Sequence, residues 1–440
     1  MMTTSERRDE WKAGWPAVVA GLIGAAAAQI HFATIGVLIR PMSHDLGWSN
    51  SAITVGIMIC SIVAVPGTPF AGFIAQRLGL ARVILIGLPL FLASFGALGL
   101  LSFTRAQWIT GWVLIALMSV FTKPNLWMLW AAQRFDAARG MAFAAIMSGA
   151  GVLAVVSPTL TQISVETFGW RATFPIMAAA MAVIAIPIAI VGFRLCPALP
   201  GEASRNAGQE SKTAAGMSIG QVIGNRHFWQ IGFISFLIGA GLISLQVHIV
   251  PMFEARGLAP RVAAMVAGAF GGAALIGRFA GGALLDRYPA KIIGMISLLL
   301  PGLGCALFLM VTINAATAFV VAVLMGLGVG AEGDVLGYVT SRYFGVRSFG
   351  TVYGAISGLF ALGAGTGPFG MSLLLDHLGS YSLVMPMLLI AILFCAFLFA
   401  TLGTYPRFGE TQGLRHKSIR SGEIVPRPGR DEFSGASPSG

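Results

Sequence analysis

Apolar residues along this chain come in long unbroken blocks, not at the alternating or three-to-four-residue spacing of a half-buried strand or helix. Twelve blocks reach the roughly 18 to 20 residues with which a helix crosses a bilayer. They run over 15–39, 51–75, 83–103, 107–132, 141–164, 170–193, 227–249, 262–284, 291–312, 315–340, 350–375 and 380–403, numbered here as spans 1 to 12. Short breaks rich in Gly, Pro, Asn, Asp and Arg separate most of them. Two breaks are longer. Residues 194–226, which include GEASRNAGQESKTAAG, read as a linker, and residues 404–440 read as a disordered tail. Residues 1–14 form a charged lead-in. The block behind them has full spanning length, so no cleavable signal is expected. The pattern predicts an all-α integral membrane protein of twelve transmembrane helices, six in residues 15–193 and six in residues 227–403.

Composition agrees: 56% of the residues are hydrophobic and only 10% charged, against about a quarter charged in soluble proteins. The net charge of +11 would suit nucleic acid, but its placement excludes that partner. With alternating spans, only Arg40, Arg105, Arg171, Arg256 and Arg261 fall on one face, and most of the 28 Lys and Arg fall on the other, with both termini. This is the positive-inside pattern of a multi-pass protein of the cytoplasmic (inner) membrane, both termini cytoplasmic. Cys60, Cys196, Cys305 and Cys395 lie in or beside apolar blocks without paired spacing, so neither a disulfide framework nor a metal site is expected.

The second half echoes the first at an offset of 208 to 210 residues. Arg40-Pro41-Met42 meets Val250-Pro251-Met252, Gly72 to Arg77 meets Gly282 to Arg287, Arg134 and Arg139 meet Arg342 and Arg347, and Glu166 to Gly169 meets Asp376 to Gly379. Transporters build two bundles around a midplane site from such repeats. With these features the chain resembles the major facilitator superfamily over residues 15 to 403, which implies two pseudo-symmetric six-helix bundles. Gly72-x-x-x-Gln76-Arg77-x-Gly79-x-x-Arg82 resembles the family's loop between helices 2 and 3, a latch for the outward-facing state. Gln76 departs from the usual acidic residue, and the second copy supplies Gly282, Asp286 and Arg287. Gly47-Trp48-Ser49 and Arg278 are similar to the monocarboxylate and oxalate–formate branch, whose helix 8 arginine contacts substrate carboxylate. Spans 1 and 11 lack that branch's lysines, so the resemblance names no single substrate.

Away from the span ends four charges fall inside spans: Lys123, Arg278, Glu332 and Asp334, which sum to zero. Lys123, Arg278 and Glu332 each lie about 24 to 26 Å from one face at 1.5 Å per residue, and so share a layer. In the family, helices 1, 4, 7 and 10 line the cavity, so Lys123 and Glu332 are expected to face each other across it. Glu332 and Asp334 are two residues apart and cannot point the same way. One reading makes these charges structural pairs that neutralise one another. The favoured reading makes Arg278 a site for an anionic substrate, Glu332 or Asp334 the proton carrier, and Lys123 a switching ion-pair partner, because intramembrane ionisable residues default to function.

Weaker signals surround this layer. Gln29 and His31 in span 1, Asn125, Tyr338 and Tyr353 are candidate substrate contacts, and each is equally readable as a packing residue. Gln246 and His248 echo Gln29 and His31 in span 7, with His248 read as structural. Trp127 and Trp130 suit either a cavity wall or an interface. The Gly-x-x-x-Gly pairs in spans 8, 10 and 11 read as helix packing. Gly363 to Pro368 resembles a drug-antiporter motif whose home is helix 5, where this chain has only Ser157-Pro158.

The expected function is secondary transport of a small monocarboxylate-like anion, aliphatic or aromatic, by alternating access coupled to protons, as symport or exchange. The lipid bilayer is the other partner, and no cofactor, ATPase subunit or nucleic acid is implied. The rivals are a proton-coupled exporter of cationic or amphiphilic drugs and a non-transporting membrane sensor. No nucleophile–base or metal-ligand constellation points to an enzyme.

Overall fold

The computed structural model describes residues 4–135, 138–197, 217, 219–285, 287–345, 349–403 and 405. Most of the expected linker and tail lies outside the described residues. Span 1 is two helices, Thr4–Ala28 and Ile30–Leu46. Spans 2 and 3 are Asn50–Leu78 and Leu80–Ala97, and span 4 is again two helices, Arg105–Ser119 and Pro124–Ala132. One continuous stretch, Arg139–Leu195, holds spans 5 and 6. Spans 7 to 12 are Arg226–Glu254, Pro260–Leu285, Ala290–Met310, Ala315–Phe344, Phe349–Leu378 and Tyr381–Ala400. Among the described residues eleven stretches are long and apolar enough to cross a membrane. The longest contains Gly169 at φ 80° and ψ 162°, where the chain turns back, so twelve spans result.

The repeat seen in the sequence has local physical causes. Gly47 (φ 63°) and Gly257 (φ 89°), like Gly169 and Gly379 (φ 71°), stand 210 residues apart at the turns after equivalent spans. A positive φ at these turns favours a residue without Cβ. Span 4 opens on a capping box from Thr104 and Gln107, and span 10 on one from Asn314 and Thr317 at the same offset. Each half packs its own core, with Trp108, Trp112, Trp127 and Trp130 in the first and Phe253, Phe308, Phe344 and Phe399 in the second. Ile86, Leu117, Ile292, Ile296, Ile390 and Phe397 remain exposed on the outside, as a lipid-facing belt requires.

The two halves meet mainly through span 2 against span 11 and span 5 against span 8. Several contacts join them at the face away from the termini. The Asp376 carboxylate accepts from Asn50 N and Ser51 N, both at 2.9 Å, and from Asn50 Nδ2 at 3.1 Å. A carboxylate from one half thus caps the first turn of a helix in the other, where free N–H groups and the helix dipole favour negative charge. Thr54 Oγ1 lies 2.9 Å from Ser372 Oγ, and Arg40 Nη1 lies 3.4 Å from Glu254 Oε2. Gly36 brings span 1 against the Val247 carbonyl, where a Cβ would overlap it. At the face bearing the termini, Gln76, Arg77 and Arg82 are exposed, and a Cβ on Gly72, Gly354 or Gly358 would meet open space. Among the described residues Gln76, Arg77 and Arg82 make no hydrogen bond or ion pair to the other half, and the molecule is closed at one face and more open at the terminal face.

Removing the Asp376 charge should loosen the closed face. With spin labels on Arg105→Cys and Ala315→Cys, Asp376→Asn should raise the population of long inter-label distances by roughly fivefold, equivalent to about 1 kcal/mol. An unchanged distance distribution would show that this cap does not hold the halves together.

Candidate functional site

Between the halves lies a cavity of about 340 Å³, lined from spans 1, 5, 7, 8, 10 and 11. Its wall is mostly apolar, with Phe32, Phe270 and Phe360 among the larger side chains. Gln29 enters at the break of span 1, where its backbone (φ −101°, ψ 1°) leaves the helix. Broken helices at membrane depth recur where a cavity satisfies the freed backbone groups. Gln246 reaches the same cavity from span 7, and Tyr353 from span 11.

Arg278 and Glu332 both line this cavity, but they do not pair. Spans 8 and 10 cross there with their backbones in contact. A Cβ at Gly277 would overlap the Leu327 carbonyl, and one at Gly330 would overlap the Ala274 carbonyl and crowd Arg278 N. This close crossing sends the two charges to opposite sides. Arg278 Nη1 points across to the Met147 carbonyl of span 5, at 3.4 Å. Glu332, only 2% exposed, turns back into its own half, where Oε1 accepts from Ser297 Oγ at 2.5 Å. Its Oε2 is buried without a hydrogen-bond partner. Among the described residues no carboxylate lies within ion-pair distance of Arg278.

Lys123 departs from expectation. It sits at the break of span 4, capping Pro124–Ala132, and is absent from the cavity wall and from contact with Glu332. The physical reason is the break itself: its extended backbone (φ −55°, ψ 144°) ends the helical phase on which a cavity-facing position would depend. His31 is likewise not on the cavity wall. It is fully buried against Phe32, Phe91 and Trp112, and both ring nitrogens lack partners.

The other candidates divide in the same way. Asn125 is exposed and is not on the cavity wall, and Tyr338 packs on the second core beneath the Arg342 guanidinium. Trp127 and Trp130 are structural, donating to the carbonyls of Thr122 and Cys196. His248 is a bridge among spans 7, 11 and 12, with Tyr381 Oη at 2.9 Å and the Pro368 carbonyl at 3.2 Å. Gly282 and Arg287 border the terminal face with Arg287 exposed. Asp286 and the side chain of Asp334 lie outside the described residues. Sequence reasoning missed Ser297, since a serine in an apolar block carries no signal of what it faces. It also missed Asp376, which entered only as a match in the repeat.

The sequence profile described as Major Facilitator Superfamily matches residues 21–368 and, in a second match, 247–428. The chain belongs to this superfamily. Its structure is similar to that of a bacterial homologue of the human lysosomal transporter Spinster, inward-facing and unoccupied. There the TM-score is 0.70 at 14% identity, over 87% of this chain and 95% of that one. The inward-facing, occupied form of that homologue gives a TM-score of 0.67 at 13% identity with the same coverage. At such identity the likeness shows the fold. No curated protein sequence matches the chain. As a member of the Major Facilitator Superfamily the chain is a secondary transporter and not an enzyme.

The glycine crossing makes a signed prediction. Gly330→Ala should destabilise the protein by about 1 to 3 kcal/mol, because its Cβ meets backbone that cannot move aside. Gly354→Ala, facing open space, should be neutral or stabilising by up to about 1 kcal/mol through helix propensity. Thermal unfolding of the two variants in detergent decides, and equal shifts would discount the crossing.

Proposed function

We propose that this transporter carries a small organic anion of the monocarboxylate class, coupled to protons, across the cytoplasmic membrane. The observation that carries the reading is Arg278: a guanidinium on the wall of a mostly apolar cavity, with no described carboxylate paired to it. A cation so placed is expensive without a partner, and an anionic substrate supplies one. Guanidinium groups also match carboxylates with two parallel hydrogen bonds.

Glu332 supports proton coupling. One oxygen is held by Ser297 and the other has no partner, an arrangement that suits a carboxyl group gaining and losing a proton. Its side chain turns into the second half while its helix contacts the helix of Arg278. Substrate charge at Arg278 and proton charge at Glu332 thereby act on the same pair of spans. Asp334, two residues further on, is the alternative carrier. The basic residues at the terminal face support a cytoplasmic orientation of both termini, which makes the observed opening inward-facing. Alternating access then exchanges the contacts of Asp376, Arg40 and Thr54 for contacts around Gln76 and Arg77.

The test is uptake of aliphatic and aromatic monocarboxylates into proteoliposomes under an imposed pH gradient. Acid-outside stimulation is expected in the wild type, with at least a tenfold loss in Arg278→Gln. Glu332→Gln should retain exchange and lose gradient-driven accumulation. Transport of cations but of no carboxylate would overturn the reading.

A further inference from the structure

We infer that the preferred substrate is a two-ended amphiphile: a carboxylate joined by an apolar spacer of aromatic width to a second hydrogen-bonding group about 12 Å away. This rests on the assignment of Arg278 as the anion subsite and extends it to the rest of the cavity. Not every polar group in the wall is free to meet a substrate. Ser235 is not, since its hydroxyl donates to the Ile356 carbonyl at 3.0 Å. Gln29 and Gln246 are different. Both line the cavity, both are only partly buried, and among the described residues neither side-chain amide has a hydrogen-bond partner.

Gln246 lies at the opposite end from Arg278. Gln246 shares a small pocket with Phe32, Gly36, Ala154 and Phe270, just inside the point where span 1 touches the Val247 carbonyl. Phe270 and Arg278 are eight residues apart on span 8, or about 12 Å along a helix. Gln29 lines the cavity three residues nearer the terminal face along span 1 than Phe32. Apolar and aromatic side chains occupy the intervening wall. The cavity thus offers a cation at its terminal-face end, an apolar middle with the unpaired Gln29 amide on its wall, and the unpaired Gln246 amide under its closed end.

Each feature selects something. An acetate-sized anion satisfies Arg278 and leaves the apolar middle and the amides to water. A plain arylalkanoate fills the middle as well, but displaces water from the amides without replacing its hydrogen bonds. A hydroxyl or carbonyl at the far end restores those bonds. Sites built to hydrogen-bond a substrate group discriminate strongly against analogues that lack it, because their own polar groups are then left unpaired. The amide pair is therefore a specificity determinant, and Arg278 is the anchor common to all anions.

Three probes separate the possibilities: acetate, 5-phenylpentanoate and 5-(4-hydroxyphenyl)pentanoate, whose carboxyl carbon and hydroxyl are about 11 Å apart when extended. Binding to the purified full-length carrier in nanodiscs is measured for the wild type, Gln29→Leu, Gln246→Leu and Arg278→Gln. In the wild type the hydroxylated probe should bind about tenfold more tightly than the phenyl probe, and acetate most weakly. Either glutamine variant should bring the two aryl probes toward equal affinity. Arg278→Gln should weaken both and leave their ratio in place. A wild-type ratio near one overturns the inference without any variant having to fold, as does a ratio that survives in both glutamine variants. If the phenyl probe binds in an Arg278-dependent way but the ratio is one, only this inference fails. If no anion binds at all, the anion reading fails with it.

Discussion

The backbone contact between spans 8 and 10 governs the site. Glycines at 277 and 330 let the two helices approach until side chains near the crossing must leave on one side or the other. Arg278 leaves toward the first half and Glu332 toward the interior of the second. Had either glycine carried a Cβ, it would overlap the facing backbone and the helices would have to stand further apart. At the close crossing the two charges point apart, and the guanidinium faces the cavity.

Closure of the opposite face follows a second electrostatic rule. Asp376 caps the first turn of span 2, so one half of the molecule completes a helix of the other. The Arg40–Glu254 pair and the Gly36 contact lie nearby and act in the same direction. On the terminal face the corresponding loop carries Gln76, which has no charge to offer a helix N-terminus. The first copy of the terminal-face loop thus lacks the carboxylate that Asp376 supplies at the closed face. This asymmetry accompanies a structure closed at one face and open at the other.

Much of this was legible in the chain. The twelve spans follow from blocks long enough to cross a bilayer, and the repeat follows from motifs at a constant offset. The structure gives the repeat a physical basis in the positive-φ glycines and the paired capping boxes. Arg278 was found because an arginine inside an apolar block has few structural uses. The roles of Lys123 and His31 were not legible. Depth along a helix places a residue in a layer, but its direction depends on helical phase, and span 4 breaks at Lys123. Ser297 and Gln246 show the same limit, since an ordinary polar residue acquires meaning only from what it faces.

What the sequence determined by itself is therefore one-dimensional: where the chain enters and leaves the bilayer, how its halves correspond, and which residues bring charge into hydrocarbon. These depend on local composition and on the bilayer's demand that every backbone polar group be satisfied within its own helix. Tertiary structure decided the rest: that Arg278 meets the cavity and Lys123 does not, that Glu332 binds Ser297, and that Asp376 closes one face. Each depends on the rotation and distance of one helix against another. Close-packed side chains and absent Cβ atoms from distant parts of the chain set those jointly.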